Sequence, residues 1–342
     1  MTGTKGKESG FVARIKKINI QQAFFAIMLV VVVVTFTLLN SKFFSLANLV
    51  NILRQMAETM ILAVGLTFVL ISGGVDLSIA KTGVMAGCIA GVLLVTFMPI
   101  MPEWIAVTLA IIIPLIAGGI IGALNGLVIS KLRVLPFIAT LGSMTIAFGV
   151  AMLLTGGNTI SKLPDSFTDM GTGYLLKDAF EGVKGVKGIP VNVIIMVVVV
   201  VIGAIVIKKT EFGLNIYAIG GNYKAARLAG LNNVKILMIV YIISGVLSAF
   251  AGLILTARYI SAQPGLWEGM NLQVIAGCVI GGTSMRGGSG SVVASLLGML
   301  LMTCVSTGLN LGSIDYAWQQ VATGVLVIAA VSLDMISRKK EV

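Results

Sequence analysis

The chain has 342 residues, 57% of them hydrophobic and 11% charged, with a mean hydropathy of +1.05. Soluble domains carry about 25% charged residues, so this composition excludes a water-soluble fold and specifies an integral membrane protein. The net charge of +11 is scattered over short loops without a basic–aromatic face, which argues against nucleic acid as a partner and fits contact with anionic lipid.

There is no histidine, which removes Ser-His-Asp and Cys-His nucleophiles and imidazole metal sites together. Cys88, Cys278 and Cys304 each stand alone in an apolar run and read as small buried apolar residues, with neither disulfide nor metal spacing.

A helix that crosses the hydrocarbon core needs about twenty apolar residues. The candidate stretches are 20–39, 52–72, 82–98, 105–129, 135–155, 191–207, 236–257, 271–283, 291–311 and 317–335. They predict an all-α polytopic protein of about ten transmembrane helices, with 271–283 short. A basic tail, 1–19, precedes the first. That first run is too long for a signal-peptide core and has no small-residue cleavage site after it, so it reads as an uncleaved anchor.

Between the second and third runs lies Ile71-Ser72-Gly73-Gly74-Val75-Asp76-Leu77-Ser78. Paired glycines interrupt an otherwise apolar stretch, and irregular backbone at such a depth is tolerated where it is buried in protein or lines a water-filled cavity. The Asp-x-Ser spacing suits a helix start, with side-chain oxygens accepting from orphan amides. Asp76 and Ser78 therefore read either as a helix cap or as members of a gate or permeation path. Further along, Gly83, Gly87 and Gly91, and then Gly118, Gly122 and Gly126, recur every four residues and predict close helix packing. Glu58, Asn125, Gln273, Asn310, Gln319 and Gln320 are the other polar residues in or near spans. Each suits an interhelical hydrogen bond; Asn125, Gln273 and Asn310 are also candidates for the path of a polar, neutral cargo. No chain of buried acids is present of the kind that relays protons.

Residues 156–190 form a long polar loop rich in Gly, Pro and balanced charge, expected as an irregular water-facing cap. Residues 208–235 form a second polar segment. Its core, 211–230, is far longer than a turn needs and carries Lys224 and Arg227, followed by Lys235, as a docking element for a soluble partner would. The glycine-rich run 281–290 has no Lys-Ser/Thr ending, and no phosphate-binding loop occurs elsewhere. The chain accordingly holds no ATP of its own, and 281–290 reads as the turn that lets 271–283 re-enter as 291–311. With the N-terminus inside, the Lys/Arg count is seventeen on the cytoplasmic side against seven outside. Both termini, including the tail 337–342, are then cytoplasmic, as is 208–235.

Six segments together resemble the ribose/galactose/xylose-type permeases of bacterial ATP-binding-cassette importers, the ribose permeases foremost. They are Asn51-Ile52-Leu53, 73–78, 136–142, Gly220-Gly221-Asn222 with 225–230, 261–264, and 281–284 with 287–290, in the family's order over residues 45–335. Ala80 and Ala294 stand where the family usually has Gly, and Lys224 where the broader importer motif has Glu. The resemblance implies a type II-like importer permease fold spanning 20–336 in the bacterial inner membrane. It implies three partners: a second copy of the chain or a homologous permease, a separate ATPase subunit that binds ATP and Mg, and an extracytoplasmic sugar-binding protein docking on 156–190 and 258–270. It also implies that Gly221, Asn222, Lys224, Ala225, Ala226, Arg227 and Gly230 form the helix seated in the ATPase. The permease itself is then non-catalytic. The alternatives are an importer of a nucleoside, inositol or furanosyl signalling molecule, or an ion-coupled carrier acting alone.

Overall fold

The computed structural model describes residues 20–338 apart from 181 and 183–185. The tail 1–19, part of the 156–190 loop and the end of the tail 337–342 lie outside the described residues. The long helices are α1 (Ile20–Leu39), α2 (Leu46–Ile71), α3 (Ile79–Phe97), α4 (Glu103–Ser130) and α5 (Pro136–Thr155). A short α6 (Asp165–Thr172) precedes α7 (Val191–Lys209), then α8 (Glu211–Gly221), α9 (Tyr223–Leu228), α10 (Asn233–Tyr259), α11 (Met270–Ile280), α12 (Val292–Leu311) and α13 (Tyr316–Arg338). Among the described residues seven helices are long and apolar enough to cross a membrane: α2, α3, α4, α5, α7, α10 and α12. The expected short span is shorter still, since α11 has 11 residues.

Local chemistry sets the ends. Ser45 accepts from Asn48 N and starts α2, Asn232 accepts from Lys235 N and starts α10, and a proline opens α5, where its missing N–H is no loss. α2 is buried without interruption from Met56 to Ile71, the mark of a helix surrounded by protein. Helices α4, α5 and α7 instead present Ile116, Ile120, Leu153, Val201 and Ile205 outward.

Gly83, Gly87, Gly118, Gly122 and Gly126 pack on α10, while Gly91 abuts Ala262 beyond its end. A Cβ on Gly83 would lie 2.8 Å from Ser248 O, one on Gly87 would strike Thr256, and one on Gly126 would lie 2.8 Å from Met238 Cα. Gly122 abuts the carbonyl of Tyr241, with Ile242 Cα 2.8 Å from where its Cβ would stand. Backbone cannot retreat as a side chain can. Gly122→Val is therefore expected to lower stability by about 1–3 kcal/mol, read as a fall in the melting temperature of the solubilised protein. Gly142→Ala, where nothing lies within 4 Å, is the control and leaves it unchanged.

The 156–190 loop is more ordered than its composition suggests. Strand β1 (Ile160–Ser161) pairs antiparallel with β4 (Ser261–Ala262), and β2 (Tyr174–Leu175) with β3 (Ile189–Pro190). Helix α6 buries Phe167, Thr168 and Gly171. Gly171 rests on the backbone of Ala257 and Arg258, so the loop is pinned to the end of α10. At the opposite end of the bundle, the basic end, lie 72–78, 210–232 and 281–291, with Lys224, Arg227 and Arg286 among them.

Candidate functional site

At the basic end α8 and α9 form a bent arm. Thr210 Oγ1 accepts from Gly213 N and starts α8, which buries Ile216 and Ile219 in the core. Asn222 Oδ1 accepts from Ala225 N at 3.0 Å and starts α9. The arm closes where Gly230, at φ 89°, donates to Arg227 O and Leu231 N donates to Ala226 O. Within α9 only Ala226 is buried, and Asn233 Nδ2 donates to Tyr223 O at 2.8 Å, holding the helix against α10. Gly221, Asn222, Lys224, Ala225, Arg227 and Gly230 are all exposed. Beside them stands Leu228, 89% exposed. Sequence reasoning passed over Leu228, although an isolated leucine in a polar segment was its visible signal.

The arm joins the bundle through backbone. Gly220 lies against Ile71 O, and a Cβ on it would be 2.6 Å from Gly288 N. Gly288 N donates to Ile71 O at 2.8 Å, and Tyr217 Oη donates to Gly290 O at 2.7 Å. A Cβ on Gly287 would meet Gly73 Cα at 2.8 Å. The run 281–290 is thus a turn, as expected, and also the clamp between α8 and the Gly73 loop. At these contacts no side chain is interposed, so the end of α8 packs backbone to backbone on 71–74 and 286–290.

Three residues beyond Gly73, Asp76 is 1% exposed. Its Oδ1 accepts from Ser78 N at 2.9 Å and Ser78 Oγ at 2.6 Å, and its Oδ2 from Ser244 Oγ on α10 at 2.8 Å. Asn125 Nδ2 of α4 donates to Ser78 Oγ at 3.1 Å, and Ser143 Oγ of α5 donates to Asn125 Oδ1 at 2.7 Å. Ser78 flanks α3 without capping it by its side chain, because the hydroxyl is already engaged in this network. Burial pushes the Asp76 carboxyl above the ordinary aspartate range, and the serine hydrogen bonds pull the other way. One carboxylate therefore ties together the 72–78 loop, α3, α4, α5 and α10.

A third feature lies toward the α6 end. A cavity of about 480 Å³ is lined by residues of α2, α10, α11 and α12 and by Trp267. The segment ahead of α11 folds back into the bundle: Lys81 Nζ donates to Leu266 O at 3.2 Å, and Trp267 Cζ3 would lie 2.6 Å from a Cβ on Gly83. Of the sequence candidates, Gln273 lines this cavity. Asp76, Ser78 and Asn125 belong to the network below it. Asn310 is exposed at the end of α12, where its Oδ1 accepts from Gln319 Nε2 at 2.8 Å.

A polytopic helical permease is the class that this bundle defines. Residues 48–331 match the model of the family described as branched-chain amino acid transport system / permease component, and the chain belongs to that family. It is 37% identical to the ribose import permease protein RbsC of Haemophilus influenzae over 92% of both chains. It is 39% identical to the protein of that name from Bacillus subtilis over 91% of each. To the galactose/methyl galactoside import permease protein MglC of Escherichia coli it is 33% identical, over 92% of this chain and 94% of that one. No solved structure matches the chain.

Proposed function

We propose that the chain is the membrane-spanning subunit of an ATP-driven importer of a monosaccharide, ribose foremost. It works with a separate ATPase subunit that binds ATP and Mg, an extracytoplasmic sugar-binding protein and a second copy of itself. In this reading it crosses the membrane about ten times in a type II-like arrangement, with α1, the short α11 and α13 joining the seven long apolar helices. Both termini are cytoplasmic. The observation that carries the reading is α9: an exposed helix with Lys224, Arg227 and Leu228 outward, fixed at its root by Ala226 and by glycine contacts to 71–74 and 286–290. A helix so rooted turns force on its exposed face into movement of the bundle. The ATPase supplies that force, since only different contacts with two states drive an exchange between them.

The test is to solubilise the tagged chain from its host and identify what accompanies it. A copurifying ATPase is expected, with ATP-dependent ribose uptake when the complex and a loaded binding protein meet across a vesicle membrane. Uptake by the chain alone in vesicles, driven by an ion gradient, would overturn the reading.

A further inference from the structure

One side of the bundle is unfit for lipid. Between β4 and α11 the chain runs through turns, and Gly265, Glu268 and Gly269 are exposed there. Contacts set the depth of this stretch. Asn271 Nδ2 donates to Met144 Sδ at 3.8 Å, near the middle of α5, and Lys81 Nζ donates to Leu266 O at 3.2 Å. The turns therefore stand at mid-height in the bundle, entered from the β4 end. Irregular backbone has no water to bond in hydrocarbon, and an ionised side chain at that depth is costly. Glu268 attracts the Lys81 ammonium, yet Glu268 remains exposed and Lys81 only half-buried.

The flanks of the stretch agree. Asn271 joins it to α5, and a Cβ on Gly269 would lie 3.5 Å from Gln320 Oε1 of α13. Gly142 of α5, Gly265 of the turns and Gly324 of α13 have nothing within 4 Å of where a Cβ would stand. Bare backbone of this kind lets another helix approach closely. On α4 and α7 the pattern is reversed. Their exposed residues at mid-helix are aliphatic, such as Ile116 and Val201, and every glycine in them packs on a neighbour. Those two helices suit lipid.

We infer that the face formed by α5, residues 263–269 and α13 is the docking surface for a second copy of this chain. Charge favours that occupant. The patch carries one cation and one acid, Lys81 and Glu268, so it complements itself when a two-fold axis turns it onto its own image. The same axis sets both 263–269 stretches toward the space between copies, where water or protein replaces lipid around their backbone. The occupant rests on the second-copy part of the import reading, whereas the exclusion of lipid stands on depth and charge.

The experiment is thiol cross-linking of the full chain in the membranes of its host. Thr145→Cys and Gly265→Cys put thiols on this face at exposed positions. Ile116→Cys and Val201→Cys put them on α4 and α7, and the native cysteines are buried. A flexible bis-maleimide is expected to give permease dimers from the first pair at about fivefold the yield of the second, or more. Glu268→Lys, added to Gly265→Cys, leaves only positive charge on the face. It is expected to lower that yield about threefold with the melting temperature unchanged, since the residue is exposed; an undiminished yield would overturn the part given to charge. Dimers from Ile116→Cys or Val201→Cys and none from Thr145→Cys or Gly265→Cys would overturn the face and leave the second copy standing. So would the absence of any dimer when the purified complex, by mass, holds two permease chains. An adduct with a different membrane protein would overturn the occupant. A complex with a single permease chain would overturn the second copy in the import reading as well.

Discussion

Leu228→Asp is expected to abolish ATP-driven uptake while leaving the permease folded and in the membrane. The side chain is 89% exposed, and substitutions of such residues away from special features usually alter stability by no more than about 0.5 kcal/mol. In a cleft of the ATPase the same leucine would be buried, at about 1.5–3 kcal/mol of favourable transfer. Each 1.4 kcal/mol is a factor of about ten in affinity, so losing the anchor weakens docking by ten- to a hundredfold. An aspartate there would also be desolvated without a partner, which deepens the loss. The readouts are the affinity between permease and ATPase and the uptake rate, with melting temperature as the control for folding. Arg227→Glu, one residue away, should uncouple ATP hydrolysis from uptake as well. Because Arg227 is an exposed charge, that effect should shrink as salt rises, whereas the Leu228 effect should not. Undiminished uptake by well-expressed Leu228→Asp and Arg227→Glu chains would remove α9 from the coupling role.

The parts of this molecule that hydropathy resolves are those whose burial is apolar. The run predicted at 236–257 is helical over Asn233–Tyr259, because Asn232 caps a polar first turn that a hydropathy reading excludes. Helix α3 begins three residues before the predicted 82, with Ile79, Ala80 and Lys81 in its first turn. Lys81 is charged yet partly enclosed, its ammonium 4.9 Å from the Phe148 ring, so its charge hid a helical position. The 156–190 loop was harder. Its helix α6 is eight residues long and opens after Pro164 with Asp165 in the first turn, but so short an element takes its stability from packing Phe167 and Gly171 on distant residues. At the sites, Asp76 and Ser78 announced themselves by spacing. Ser244, 168 positions along the chain, did not, since contact across helices leaves no local pattern. Glu58 and Gln273 stood out as polar residues within spans, but the packing of α2, α10 and α11 is what brings them, with Arg258, to one cavity.

The Asp76 network permits a sharper test of what its carboxylate does. Asp76→Ala removes the acceptor of three buried donors: Ser78 N, Ser78 Oγ and Ser244 Oγ. The hydroxyls can turn elsewhere, but the Ser78 amide is fixed, and an unpaired buried donor costs about 1–3 kcal/mol. With the cavity left at a position 1% exposed, Asp76→Ala is expected to lose stability by about 3 kcal/mol or more, seen as poor recovery of monodisperse protein. Asp76→Asn keeps the shape and an acceptor oxygen. Its Oδ1 serves both groups of Ser78, its amide donates to Ser244 Oγ, and Ser244 can turn its own hydrogen to a carbonyl one turn earlier in α10, as helix serines do. Its stability should then lie close to the parent, with uptake within about threefold of it. That ranking, Asn near the parent and Ala far below, is what a structural tie between the Gly73 loop and α10 requires. A folded Asp76→Asn chain with uptake as low as that of Asp76→Ala would instead show that the charge itself is used, and would move Asp76 from holding the bundle to gating it.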